Sequence, residues 1–188
     1  MGRETSRRER LAEDATDYVL EHGIAGLSLR PLAAALGTSD RMLLYHFGSK
    51  DALLAEVVER SNNRSVTAMR AIPAARSPRA AVSALWRGWQ QPAVTRCLRV
   101  YAQTAALGLL GQEPYLSAAQ RSNQLWSDAV ADLMTRSGVP PRRAARVSAL
   151  ADATLFGLLL DQPVDAGSED VQVVVRDLAD AVQQISSS

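Results

Sequence analysis

The sequence predicts an all-α protein of about nine helices, and three observations carry that expectation. Apolar residues recur at helical spacing along the whole chain, and no stretch sustains the apolar/polar alternation of a strand. The breaks between periodic runs hold glycine, proline and small hydroxyl residues, which is where helices stop and start.

Leu11, Ala15, Tyr18 and Val19 line one face of a first helix that stops at His22-Gly23. Ser28 opens a short second helix running to Leu36, with Gly37 after it, and Ser39-Asp40 opens a third carrying Leu43, Leu44 and Phe47. Ser49 opens a longer fourth, where Leu53, Leu54, Val57 and Val58 repeat at helical spacing, reaching about Arg70. Ser77-Pro78 starts a fifth helix with Trp86 and Trp89, since proline costs nothing in a first turn. Pro92 interrupts it, and a sixth segment runs from about Val94 to Leu110. Pro114 opens a seventh that passes Trp126 and stops at Ser137-Gly138. Pro140-Pro141 opens an eighth through Leu160, stopped by Asp161-Gln162-Pro163. Ser168, Glu169 and Asp170 place a cap and first-turn acids at the start of the ninth, where acids suit the helix dipole.

The 188 residues are 47% apolar and 22% charged, a globular balance that excludes wholesale disorder. A single cysteine, Cys97, excludes an intramolecular disulfide framework. No apolar run approaches the ~20 residues that span a bilayer, so a soluble, cytoplasmic protein without membrane contact is expected. Net charge is +1, distributed as −3 over residues 1–59, +10 over 60–146 and −6 over 147–188. The basic centre either attracts an anion or is ordinary solvated surface. Twenty of the 21 basic residues are arginine and only Lys50 is lysine, a compositional bias that carries no function by itself.

The second and third helices, joined by Gly37-Thr38-Ser39, have the spacing of a helix-turn-helix: a first helix across the DNA backbone, a tight turn, and a second helix for the major groove. Spacing alone leaves a generic helical hairpin equally open. The residues go further. Leu36-Gly37-Thr38-Ser39, followed by Leu43-Leu44-Tyr45-His46-Phe47-Gly48-Ser49-Lys50-Asp51-Ala52-Leu53-Leu54, resembles the signature of the TetR family of bacterial transcriptional regulators, over about residues 8–58. Thr38 stands where that family often has valine, and Leu44 where it often has a phosphate-contacting tyrosine, so that contact does not transfer to Leu44.

The resemblance implies a DNA-binding head at residues 1–48 and an effector-binding, dimerising body at 49–188. Arg30, Thr38, Ser39, Arg41, Met42, Tyr45, His46 and Lys50 form the expected DNA-contacting set. Arg41 is the candidate for base readout, because its fork matches guanine O6 and N7. Thr38, Ser39, Tyr45, His46 and Lys50 are expected to anchor phosphates, which fixes register without reading sequence. Arg3, Arg7, Arg8 and Arg10 are either an arm reaching the duplex or a solvated tail. His46 has only His22 for company and no ligand-spaced cysteine or carboxylate, so no metal and no cofactor are expected.

For the body, the resemblance implies a small, largely apolar effector and a homodimer. Trp86, Trp89, Tyr101, Thr104, Trp126 and Phe156 are the candidate effector contacts, with plain core packing the alternative for each. Val147, Ala151, Leu155 and Leu158 make one apolar stripe, and Val171, Val174, Val175, Leu178 and Val182 another; these are the expected dimer seam. No glycine-rich phosphate loop, nucleophile elbow or metal-ligand spacing occurs, so no enzyme is expected. The reading is a ligand-responsive repressor on a pseudo-palindromic duplex; the alternative is a helical bundle whose head contacts protein.

Overall fold

Ser6 begins the first element: its hydroxyl accepts from the Glu9 amide at 3.1 Å, while the Glu9 carboxylate accepts from the Ser6 amide at 2.8 Å. This reciprocal box satisfies two of the four donors that a helix start leaves open. The computed structural model describes residues 6–161 and 170–187, and every regular element among them is an α-helix. In chain order these are α1 (Arg7–His22), α2 (Leu29–Ala35), α3 (Asp40–Phe47), α4 (Lys50–Arg70), α5 (Pro78–Trp89), α6 (Pro92–Leu109), α7 (Tyr115–Arg136), α8 (Pro141–Asp161) and α9 (Asp170–Ser187).

Three of the expected caps are formed where the sequence placed them. Ser39 accepts from the Met42 amide at 3.2 Å, Ser49 from Ala52 at 3.0 Å and Ser77 from Ala80 at 3.2 Å. Ser28 precedes α2 without a side-chain cap. Pro92 opens α6 rather than separating it from a start near Val94, because a missing N–H is harmless at a first turn. Arg7, Arg8 and Arg10 are neither arm nor tail; they form the first turns of α1 behind the Ser6 box. Arg3, and the stop at Gln162-Pro163 with the cap at Ser168 and Glu169, lie outside the described residues.

The helices pack as two compact units. One comprises the chain through Ser65 together with Pro92–Asn123. Its core joins Leu11, Val19, Ile24, Leu32, Leu43, Phe47, Leu53, Leu54 and Val57, with Val100 from α6 and Ala118 from α7. Tyr18 and Leu36, expected in this core, are half-buried against it. Each fully buried aliphatic side chain contributes about 1.5–3 kcal/mol, so α3, with only Leu43 and Phe47 buried, is held by its neighbours rather than by its own length. The other unit comprises Val66–Gln91 and Gln124–Ser188. There α9 packs against α5 and α8, burying Val82, Leu85, Trp86 and Trp89 of α5 beside Val175, Leu178 and Val182 of α9. These units divide the chain elsewhere than the expected boundary between residues 48 and 49, because α6 and the start of α7 supply core to the N-terminal helices.

Candidate nucleic-acid interface

The turn that aims α3 is built from backbone. Gly37 adopts φ of +63°, where an L side chain is strained, and lets the Thr38 amide return to the Ala33 carbonyl at 2.9 Å. Ser39 then caps α3, and Asp40 accepts from the Arg41 amide at 2.9 Å. Leu43 and Phe47 point into the core. The opposite side of α3 is therefore outward: Arg41 and Leu44 are exposed and Tyr45 is 78% exposed, with Met42 half-buried between the two faces.

The far end of α3 is pinned by a residue that the sequence left as either an arm or a solvated tail. Arg8 donates through Nε to the His46 carbonyl at 3.2 Å and lies 4.9 Å from the centre of the Phe47 ring. A cation suits the carbonyl end of a helix and the face of an aromatic ring. Arg8 also pairs with Glu56 of α4. Arg60 reaches Glu13 at 3.2 Å and Glu56 at 3.0 Å, and Arg64 reaches Asp17 at 2.6 Å and also Glu13. This ladder ties α1 to α4 through Glu13, Asp17 and Glu56.

Among the described residues no ion pair involves Arg30, Arg41 or Lys50. Arg30 and Arg41 are exposed and Lys50 half-exposed at the start of α4, where helix amides favour an anion. Ser39, an exposed cap, joins them. Two members of the expected set are placed differently. The Thr38 hydroxyl oxygen and His46 Nε2 are buried without hydrogen-bond partners, so neither atom is presented to a phosphate. Tyr45 packs edge-on against the His46 ring, centroids 5.2 Å apart, and carries the exposed hydroxyl of this helix.

Sequence reasoning also missed Gln103 of α6. Its Oε1 accepts from the Ile24 amide at 2.7 Å and the Ala25 amide at 3.1 Å, just beyond α1. Gly23 leaves it room: a Cβ there would stand 2.9 Å from that oxygen. The pairing spans 79 positions, which no local pattern signals.

Residues 13–57 match the family model of bacterial regulatory proteins, tetR family. Solved structures share the fold of this chain along almost its whole length. A transcriptional regulator from Rhodococcus sp. RHA1 is 22% identical, with 96% of each chain covered and a TM-score of 0.71. A candidate regulator from Streptomyces coelicolor A3(2) is 22% identical, covering 97% of this chain and 99% of that one, with a TM-score of 0.71. The multidrug binding protein EbrR, complexed with imidazole, is 22% identical over 96% of each chain with a TM-score of 0.67, and it is also solved with proflavin. Comparison with curated proteins finds no sequence match.

The residues expected to meet an effector divide between the units. Tyr101 and Thr104 belong to the N-terminal unit, where the buried Thr104 hydroxyl donates to the Val100 carbonyl at 2.8 Å and Tyr101 reaches Asn123 at 3.5 Å. Trp86, Trp89, Trp126 and the half-buried Phe156 belong to the other. There the Trp89 and Trp126 rings lie 5.5 Å apart, and Trp126 Nε1 donates to Asp152 at 2.9 Å. Burial pushes the Asp152 carboxyl above the usual range, and the indole bond only partly opposes it. The buried Trp86 Nε1 has no hydrogen-bond partner.

The expected dimer stripes face inward. Val147, Ala151, Leu155, Val175, Leu178 and Val182 are buried within the protomer itself, where α9 meets α5 and α8. Leu158 and Val171 are half-buried, and only Val174 is exposed. The outward apolar positions are Leu150 and Leu160 on α8 and Val173 and Val174 on α9. The arginines numbered from 70 to 146 lie on exposed or half-exposed positions, as a solvated surface would. No described helix is long and apolar enough to cross a membrane.

Proposed function

We propose that the protein is a ligand-responsive transcriptional repressor that binds a pseudo-palindromic DNA site as a homodimer through α3. One observation carries the DNA reading: Arg8 of α1 and Arg60 and Arg64 of α4 are paired with carboxylates, while among the described residues no ion pair involves Arg30, Arg41 or Lys50 around the turn. In this role Arg41 reads a base edge near the N-terminus of α3, and Ser39, Tyr45, Lys50 and Arg30 hold phosphates on either side. Thr38 and His46 support the turn and the end of α3 instead of touching DNA. The functional division follows the boundary near residue 48, with effector and dimer functions after it.

Two heads are needed, since one short helix reads too few bases for useful affinity; half-sites one turn apart, roughly 34–36 Å, suit a two-fold dimer. The partner covers the outward stripe of α8, Leu150, Ala153, Gly157 and Leu160, whose spacing places them on one face, together with Val173 and Val174 of α9. An effector enters the unit holding Trp86, Trp89, Trp126 and Phe156, and EbrR, a chain of this fold complexed with small molecules, supports that role. It acts by binding the DNA-incompetent arrangement more tightly than the competent one, because equal affinity shifts nothing. Selection from a randomised duplex library at moderate salt tests the proposal. Enrichment of an inverted repeat is expected, and the absence of any duplex preference refutes it.

A further inference from the structure

We propose that Asp152, tied to Trp126 whose ring packs on Trp89, is the anionic half of a binding site for an organic cation, and that this is the charge class of the effector. The inference rests on the effector role proposed above and specifies its chemistry. Asp152 sits on α8 in a half-buried position within one packing unit, as do both tryptophans. Its hydrogen-bond partner is a neutral indole, 2.9 Å away. Among the described residues no arginine, lysine or histidine pairs with it, in a chain that has 20 arginines to spare. A carboxylate withdrawn from water without a counter-charge is costly, and the raised affinity for its proton is the signature of that cost.

A purely structural acceptor for the Trp126 N–H would not need a charge: asparagine has the same shape and avoids the penalty. The carboxylate is explained when its counter-charge arrives with a ligand. The indoles point to the same class, since the faces of tryptophan attract cations most strongly when water is excluded. The Trp89 and Trp126 rings, 5.5 Å apart and inclined at 55°, are both buried within this unit. One carboxylate with two indoles is a poor metal site, and no group of three His, Cys, Asp or Glu that could hold a metal ion occurs among the described residues. The cation expected is therefore a quaternary or aromatic ammonium. The surplus of arginine in the middle of the sequence left an anion or a solvated surface open; those side chains lie on exposed or half-exposed positions, whereas the half-buried Asp152 is acidic.

The test uses the full chain with N-methylquinolinium and its neutral counterpart quinoline as probes, titrated by calorimetry at pH 7.5. The wild type is expected to bind the cation at least tenfold more tightly than quinoline. Asp152→Asn keeps an acceptor for Trp126 and is expected to cut that preference below threefold, leaving quinoline binding unchanged, while Asp152→Glu retains it. Trp89→Leu is expected to weaken the cation severalfold with Asp152 intact. Cation preference surviving in Asp152→Asn, or binding of neither probe to a folded wild type, overturns the site. Operator release is scored separately. Cation binding that depends on Asp152 but leaves operator affinity unchanged keeps the site and removes its effector role, whereas failure to bind any duplex removes the regulator reading and leaves the titration standing.

Discussion

Replacing Gln103 by alanine isolates a single polar link between α6 and the end of α1. The amide oxygen accepts from two backbone N–H groups, of which Ile24 belongs to a fully buried residue and Ala25 to an exposed one. Water can replace the acceptor at Ala25, so that loss stays near the net value of a hydrogen bond, about 1 kcal/mol or less. The Ile24 amide has no such recourse, and an unsatisfied buried donor costs about 1–3 kcal/mol. The expected total is about 1.5–3 kcal/mol, or roughly 3–12 °C in Tm for a chain of this size. Glutamate, which keeps the acceptor, should lose much less. Urea denaturation gives the stability change as a shift in midpoint at constant slope, and amide exchange at Ile24 gives the local one. A midpoint change under about 0.5 kcal/mol together with unaltered Ile24 protection would show that the bond is incidental.

Arg41→Ala should weaken the selected duplex by about 1–3 kcal/mol and relax one base position per half-site, whereas Lys50→Ala should weaken all duplexes alike and flatten the salt dependence; gel-shift titrations over a salt series separate them. Leu150→Arg should give a folded monomer by sedimentation and circular dichroism, while Leu178→Arg should lose folded structure by placing a charge in a protomer's core; a folded, dimeric Leu150→Arg protein would remove the outward stripe as the seam. The raised carboxyl of Asp152 contributes stability that is fully present below about pH 4, the unfolded value, and is lost as pH rises through its folded value. Urea midpoints should therefore favour Asp152→Asn over wild type increasingly from pH 4 to 8, and the opposite trend sinks the assignment. Ser77→Ala should cost about 0.5–2 kcal/mol through loss of the α5 cap, read by the same midpoints.

What the sequence made legible was local. Ser39, Ser49 and Ser77 announced helix starts because capping joins residues three apart, and Gly37 announced the turn because its backbone conformation excludes other residues. The helix-turn-helix spacing and its resemblance held for the same reason. The misplacements all involve distance along the chain. Arg8 reads as an arm or a solvated tail because its partners lie 38 and 48 positions away, at His46 and Glu56. The stripes of α8 and α9 were correctly apolar, but periodicity reports only that a face is covered and not whether the covering is α5 of the same chain or a second copy. Asp152 carried no signal at all, since one aspartate in an alanine-rich helix reads as surface until the helix is docked.

The ladder that joins α1 to α4 also sets how this protein would search a genome. Arg8, Arg60 and Arg64 are neutralised by Glu13, Asp17 and Glu56, so they release few condensed counterions when a duplex approaches. The attraction to random DNA then falls to the basic residues outside the ladder, Arg30, Arg41 and Lys50 among them. Such a head lingers little on non-cognate sequence, and its selectivity comes from a low background rather than from extreme affinity. A regulator made this way can work at modest copy number, because few of its molecules are held at the vast excess of wrong sites.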